Sequence, residues 1–229
     1  MNKSLNIYGD SPKFVASGHG ADIASQRADD LDLLALEFVK TRSDSGLTTN
    51  GIDVACGEGG QTIRLAQSGA HMLAIDILDG KSLLEKIESS GLHGRIKYLR
   101  EDMRMLSRAG IASADLIICQ RAIHYLDYES AVDVVCQMRH LLAPGGHLYL
   151  SASGIQSELG NGYSGIGVPI GSRYAELSEP MRNKHDIQGP VCLYSESDIS
   201  TLLTVAGFTP VNIFSSPFGN IKAVAVNEL

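Results

Sequence analysis

The chain has 229 residues, of which 44% are apolar and 20% charged, with a formal net charge of −7. That length buries a sizeable core and suits one domain, and no apolar run approaches the ~18 residues of a membrane span. A nucleic-acid partner is disfavoured: phosphate binding asks for a basic face, and the densest basic cluster is only Arg182, Lys184 and His185.

Residues 1–24 show little periodicity and read as an extended lead-in with turns. Ser25 is placed to cap a helix from Gln26 to Arg42, whose Leu31, Leu34, Ala35, Phe38 and Val39 follow helical spacing. Ile52 to Ala55 suit a buried first strand. Gly57, Glu58, Gly59 and Gly60 permit a tight turn, Thr62 to Gln67 continue as a helix, and His71 to Asp76 form a second strand. A helix over Lys81–Ser90 follows, then strands over Arg95–Leu99 and Ala114–Cys119, with a short helix over Met103–Ala109 between them. Asp127 caps a helix over Tyr128–Leu142, Ala143-Pro144-Gly145-Gly146 stop it, and His147–Ala152 form the fifth strand. Residues 153–190 hold glycines and prolines too densely for long elements, leaving room only for a short helix around Tyr174–Asn183. Ser195-Glu196-Ser197-Asp198 is a capping box that opens a helix to Ala206. Phe208–Ser215 and Ile221–Val226 close the chain as a hairpin. The alternation of strand and helix predicts an α/β fold: a doubly wound, mostly parallel seven-stranded sheet with an antiparallel C-terminal hairpin at its edge. Four segments are expected: residues 1–45 as N-terminal cap and helix, 51–152 as cofactor-binding core, 153–193 as substrate-side insertion, and 194–229 as C-terminal helix and hairpin.

The glycine turn chooses between cofactors. Asp76 lies 19 residues after Gly57, near the ~20-residue gap at which an acid meets a ribose in nucleotide-binding βαβ units. A dinucleotide fingerprint needs a third glycine where Thr62 stands, and Asp53 just before the turn would repel a pyrophosphate but attract a cation. S-adenosylmethionine, with a sulfonium, an amino group and no phosphate, meets both conditions. The stretch D-V-A-C-G-E-G-G resembles motif I of the class I S-adenosylmethionine-dependent methyltransferases, a Rossmann-like family, with Ala55 in place of the first glycine. Glu101-Asp102-Met103 and the loop after Cys119 resemble later motifs of that family in the right order.

The resemblance implies S-adenosylmethionine as cofactor, S-adenosylhomocysteine as product, and a role for each matching position. Asp53 is expected at the methionine amino group. Ala55, Gly57 and Gly59 let the backbone approach the ligand. Asp76 takes the two ribose hydroxyls, since a carboxylate offers paired acceptors. Ile77 packs on adenine, Asp102 and Met103 define the adenine edge, and Gln120 sits near the methionine end. Cys56 reads as a small filler beside the ligand and not as a nucleophile, because no basic partner stands near it in sequence. Asp102 also serves as a helix cap, a reading compatible with cofactor contact.

Substrate residues are sought in the irregular segments. Tyr8, His19 and Arg27 are either part of a substrate lid or surface packing of the lead-in. Tyr125 and Tyr163 are further substrate candidates. The segment 153–190 either builds the substrate side of the site or is a surface insertion. His124, after the fourth strand, is either a buried and satisfied histidine or a contact to cofactor or substrate. An imidazole pKa near neutrality would make His124, or His185, a general base. No Cys/His spacing or carboxylate cluster suggests a metal. Four scattered cysteines and a leader without an apolar stretch point to a reduced, cytoplasmic protein. The expected activity is methyl transfer to a small molecule at oxygen, nitrogen or carbon. Its rivals are a protein or RNA methyltransferase on the same core and a non-catalytic cofactor-binding module.

Overall fold

A computed structural model describes residues 13–14, 18–23, 26–108 and 110–228. Its elements, in order, are α1 (Asp30–Asp44), β1 (Asn50–Val54), α2 (Gly60–Gln67), β2 (His71–Asp76), α3 (Lys81–Ser90), β3 (Ile96–Arg100), β4 (Ala114–Gln120), α4 (Tyr128–Leu141) and β5 (Leu142–Ala152), then β6 (Ala175–Glu176), α5 (Glu179–His185), β7 (Pro190–Val191), α6 (Glu196–Val205), β8 (Thr209–Ser215) and β9 (Ile221–Val226). Seven strands form one sheet in the order β3-β2-β1-β4-β5-β9-β8. The first five run parallel, and β9 and β8 add antiparallel at the edge. The doubly wound sheet expected from the alternation pattern is therefore the observed one.

Alternating side chains along each strand feed two apolar layers. Ile117 and Cys119 of β4 join Val134, Met138 and Leu202 on one face. Leu116 and Ile118 join Leu31, Ala35, Leu65 and Leu83 on the other. Both faces being covered explains why β4 reads as an unbroken apolar run. Strand order reverses between β1 and β4, so the chain leaves their carboxyl ends in opposite directions and opens a crevice there.

Three expectations are corrected. Helix α1 begins at Asp30, and Asp29 is its cap. Asp29 accepts from the N–H groups of Leu31 and Asp32, while Asp32 accepts from the N–H of Asp29 at 2.8 Å, a reciprocal box that outcompetes an earlier start. Strand β5 begins at Leu142: the stretch Ala143–Gly146 bulges between the Ala114 and Leu116 pairings before regular register resumes at His147. The short helix expected around Tyr174–Asn183 lies at Glu179–His185, opened by Pro180.

The insertion after β5 is ordered around a small core of its own. Leu159, Tyr163, Leu177, Ile187, Val191 and Leu193 are buried together. Strands β6 and β7 pair beside it. The described part of the lead-in is stitched onto this unit: the Gln188 N–H donates to the Gly18 carbonyl at 2.8 Å and the Gly20 N–H to the Asp186 carbonyl at 3.2 Å.

Candidate functional site

The carboxyl ends of β1, β2 and β4 open into a cavity of about 940 Å³, which the lead-in and the insertion also line. Its floor is the turn after β1. Ala55 takes φ +57 and Gly57 φ +55, the left-handed region that lets the chain reverse within three residues. Gly59, at φ +73, caps α2 but does not line the cavity; a Cβ there would come within 2.3 Å of Leu83. Its expected closeness to a ligand is replaced by close packing of the turn on α3.

Asp76 ends β2 at the cavity wall, and both its oxygens are fixed. One accepts from the Gly57 N–H at 2.8 Å, the other from the Leu78 N–H at 3.0 Å. Each oxygen keeps a further lone pair for a ligand hydroxyl. Asp53 is buried at the end of β1, where Thr62 donates its hydroxyl at 2.5 Å. Burial pushes the Asp53 carboxyl up to about 7, against the pull of Thr62, with Asp32 and Asp76 adding to the rise. Burial likewise raises Asp32 to about 6, assisted by the charge of Asp29. Cys56 is buried in the turn, and burial beside Asp53 and Asp76 drives its thiol upward, as suits a filler and not a nucleophile.

On the adenine side of the expected pocket, Ile77 is 46% exposed and Met103 is half-buried, and both line the cavity. Asp102 also lines it but is engaged by Arg104, which donates to both its oxygens and holds its carboxyl below the usual range. Gln120 donates to Asp32 and accepts from the Ser151 hydroxyl at 3.3 Å.

Of the substrate candidates, His19, Arg27 and Tyr125 line the cavity. Tyr125 donates to the His19 carbonyl at 2.6 Å, and the two rings meet edge to face at 4.6 Å. Tyr163 is not brought to the cavity: its hydroxyl donates to the carbonyls of Val191 and Arg173 inside the insertion's core. Tyr8 lies outside the described residues. His124 and His185 both reach the cavity, and His124 does not match a near-neutral base. His124 is 2% exposed, with Nε2 3.3 Å from the Ser153 hydroxyl. Burial, with Arg121 and His19 nearby, lowers it to about 3, so it stays neutral at physiological pH. Its Nδ1 is buried with no partner among the described residues. His185 is lowered by burial and contacts Glu158 at 3.2 Å.

Asp32, Lys222 and Arg121 are among the lining residues that escaped the sequence reading. Asp32 sits in α1's first turn, and its value as a signal was hidden by the earlier helix start expected at Gln26. Lys222 is the one charged residue of the apolar strand β9, buried and 2.9 Å from Asp29. Arg121, the residue after β4, takes φ +50. Among the described residues no three His, Cys, Asp or Glu side chains gather as a metal site, and no helix is long and apolar enough to cross a membrane. Buried carboxylates at Asp32 and Asp53, with a tethered carboxylate at Asp76, fit a ligand carrying positive charge at one end and a diol beyond it.

Comparison with known proteins agrees with that donor set. Residues 52–146 match the family model described as "Methyltransferase domain". A ubiquinone biosynthesis O-methyltransferase of Xylella fastidiosa (strain M23) is 32% identical over 127 residues, covering 53% of this chain and 48% of the relative. The matched stretch thus spans about half the length of such curated relatives. Among solved structures, the Synechocystis PCC 6803 magnesium protoporphyrin IX methyltransferase with bound S-adenosylhomocysteine superposes at TM-score 0.60, with 19% identity over 99% of this chain and 90% of that one. A Burkholderia thailandensis 1,6-didemethyltoxoflavin-N1-methyltransferase, bound to 1,6-didemethyltoxoflavin and S-adenosylhomocysteine, gives 0.61, with 15% identity over 86% and 78%.

Proposed function

We propose that this chain, whose residues 52–146 match a methyltransferase-domain family model, is a class I S-adenosylmethionine-dependent methyltransferase that transfers a methyl group to a small-molecule acceptor. One observation carries the reading: Asp53, Asp76 and Met103 line the same cavity as His124, Tyr125 and the insertion. Cofactor and acceptor residues thus share one space, and about 940 Å³ falls in the range of small-ligand sites. A macromolecular acceptor would need an open basic face, and a net charge of −7 does not favour one. Four unpaired cysteines suit a cytoplasmic setting.

The bound donor supplies an electrophilic methyl and a neutral leaving group. Asp76 is suited to hold the ribose hydroxyls and Asp53, with Asp32 behind it, the methionine end. Ile77 and Met103 offer apolar cover to adenine. The remaining task is placing the nucleophile in line, an effect worth up to ~7–11 kcal/mol. His124 is neutral and offers a hydrogen bond that orients the acceptor; as a proton sink it is weak. Incubation with methyl-labelled S-adenosylmethionine and a metabolite extract tests the reading. Label is expected in the low-molecular-mass fraction; label confined to protein or RNA would contradict it.

A further inference from the structure

The cations lining the cavity separate by partner. Lys222 is held by Asp29 at 2.9 Å and Asp30 at 3.7 Å, and Arg104 by Asp102. Arg27 donates to the Ala28 carbonyl and keeps other partners. Arg121 differs: among the described residues its guanidinium makes no ion pair and no hydrogen bond, although it lines the cavity beside His124 and Tyr125.

The carboxylates lining the cavity do not supply the missing partner. Asp102 is bound to Arg104, Glu158 to Lys184 and His185, Asp32 to Gln120, and Asp76 to two backbone N–H groups. The backbone of Arg121 is itself held in place. At φ +50 it adopts a conformation rare for a residue with a side chain, fixed by its N–H donating to the Ser151 carbonyl at 2.9 Å and the Ser151 hydroxyl at 3.1 Å. A guanidinium fork with no partner among the described residues, carried on a fixed backbone, is the arrangement that binds planar or tetrahedral oxyanions in two-point fashion.

We propose that Arg121 anchors an oxyanion of the methyl acceptor, a carboxylate or a phosphate, so that the substrate class is anionic small molecules. The inference rests on the reading of this cavity as a methyl-transfer site.

The test uses full-length protein saturated with S-adenosylhomocysteine and calorimetric titration with two matched pairs, benzoate against benzamide and phenyl phosphate against phenol. Wild type is expected to bind the anionic member of at least one pair tenfold or more tighter than its neutral partner, and the pair that responds tells carboxylate from phosphate. Arg121→Gln should erase that preference and Arg121→Lys should retain part of it, with both variants binding S-adenosylhomocysteine within about threefold of wild type. No anion preference in wild type, or a preference that Arg121→Gln preserves, overturns the anchor while leaving the methyltransferase reading intact. Absence of S-adenosylhomocysteine binding to wild type would instead overturn that reading, and the anchor with it.

Discussion

Thr62 donates its hydroxyl to Asp53 at 2.5 Å, both side chains being buried. In a dinucleotide-binding turn the position of Thr62 belongs to a glycine that lets helix and strand pack closely. Here a hydroxyl fills that place and supports the buried acid. Where a dinucleotide site has an anion cradle, this turn has a buried acid supported by a hydroxyl.

Removing that support should weaken the cofactor site without unfolding it. A hydrogen bond to a charged group contributes roughly 1.5–3 kcal/mol, so Thr62→Val is expected to lower S-adenosylhomocysteine affinity by about tenfold or more at pH 8. Thr62→Ser should stay near wild type. Calorimetry on the two variants checks this, and equal affinities would show that the bond does not serve binding.

Cofactor affinity should fall as the solution is acidified. The Asp53 carboxyl lies at about 7 and Asp32 at about 6. A cationic ligand favours their ionised forms, so binding releases protons below about pH 7 and weakens towards pH 5.5. Titrations in buffers of different ionisation enthalpy read the released protons directly. Asp53→Asn should lose most of the release.

The same shift makes Asp53 a cost to the ligand-free fold. Its folded value of about 7 exceeds the ordinary 3.8. Between roughly pH 4 and 7 the folded state therefore holds a proton that the unfolded chain has lost, and stability falls as pH rises through that window. Asn keeps an acceptor for Thr62 without the charge. Asp53→Asn should melt several degrees higher than wild type at pH 8 and within about 1 °C of it at pH 4, by calorimetric melting without ligand.

His124 should not set the pH profile of turnover. With its pKa lowered to about 3, it does not change charge between pH 6 and 9. At saturating cofactor, His124→Gln is expected to lower kcat through misplaced substrate while the shape of the profile is kept. An inflection near pH 6.5 in wild type that vanishes in the variant would assign it a proton-transfer role.

Much of this site was legible because its signals are local. The alternation of strand and helix, the glycine at 57, and the acid ending β2 each follow from residues a few positions apart. The S-E-S-D box at Ser195 is of the same kind and forms as read. What escaped depends on distant partners. Asp32 owes its burial and raised pKa to packing against elements far along the chain, and its bond to Gln120 spans 88 residues. The pKa of His124 follows from enclosure by the insertion and β5, which no spacing rule near position 124 encodes. Tyr163 was a substrate candidate as a polar residue of the irregular segment; its carbonyl partners Arg173 and Val191 come from later turns of the same insertion.

The central claim is that the tethered carboxylate at the end of β2 holds the ribose of S-adenosylmethionine. Calorimetric titration of wild type and Asp76→Ala with S-adenosylhomocysteine, with circular dichroism confirming equal folding, tests it most directly. Saturable binding to wild type and none detectable to the variant is expected; near-equal affinity of the two would contradict it.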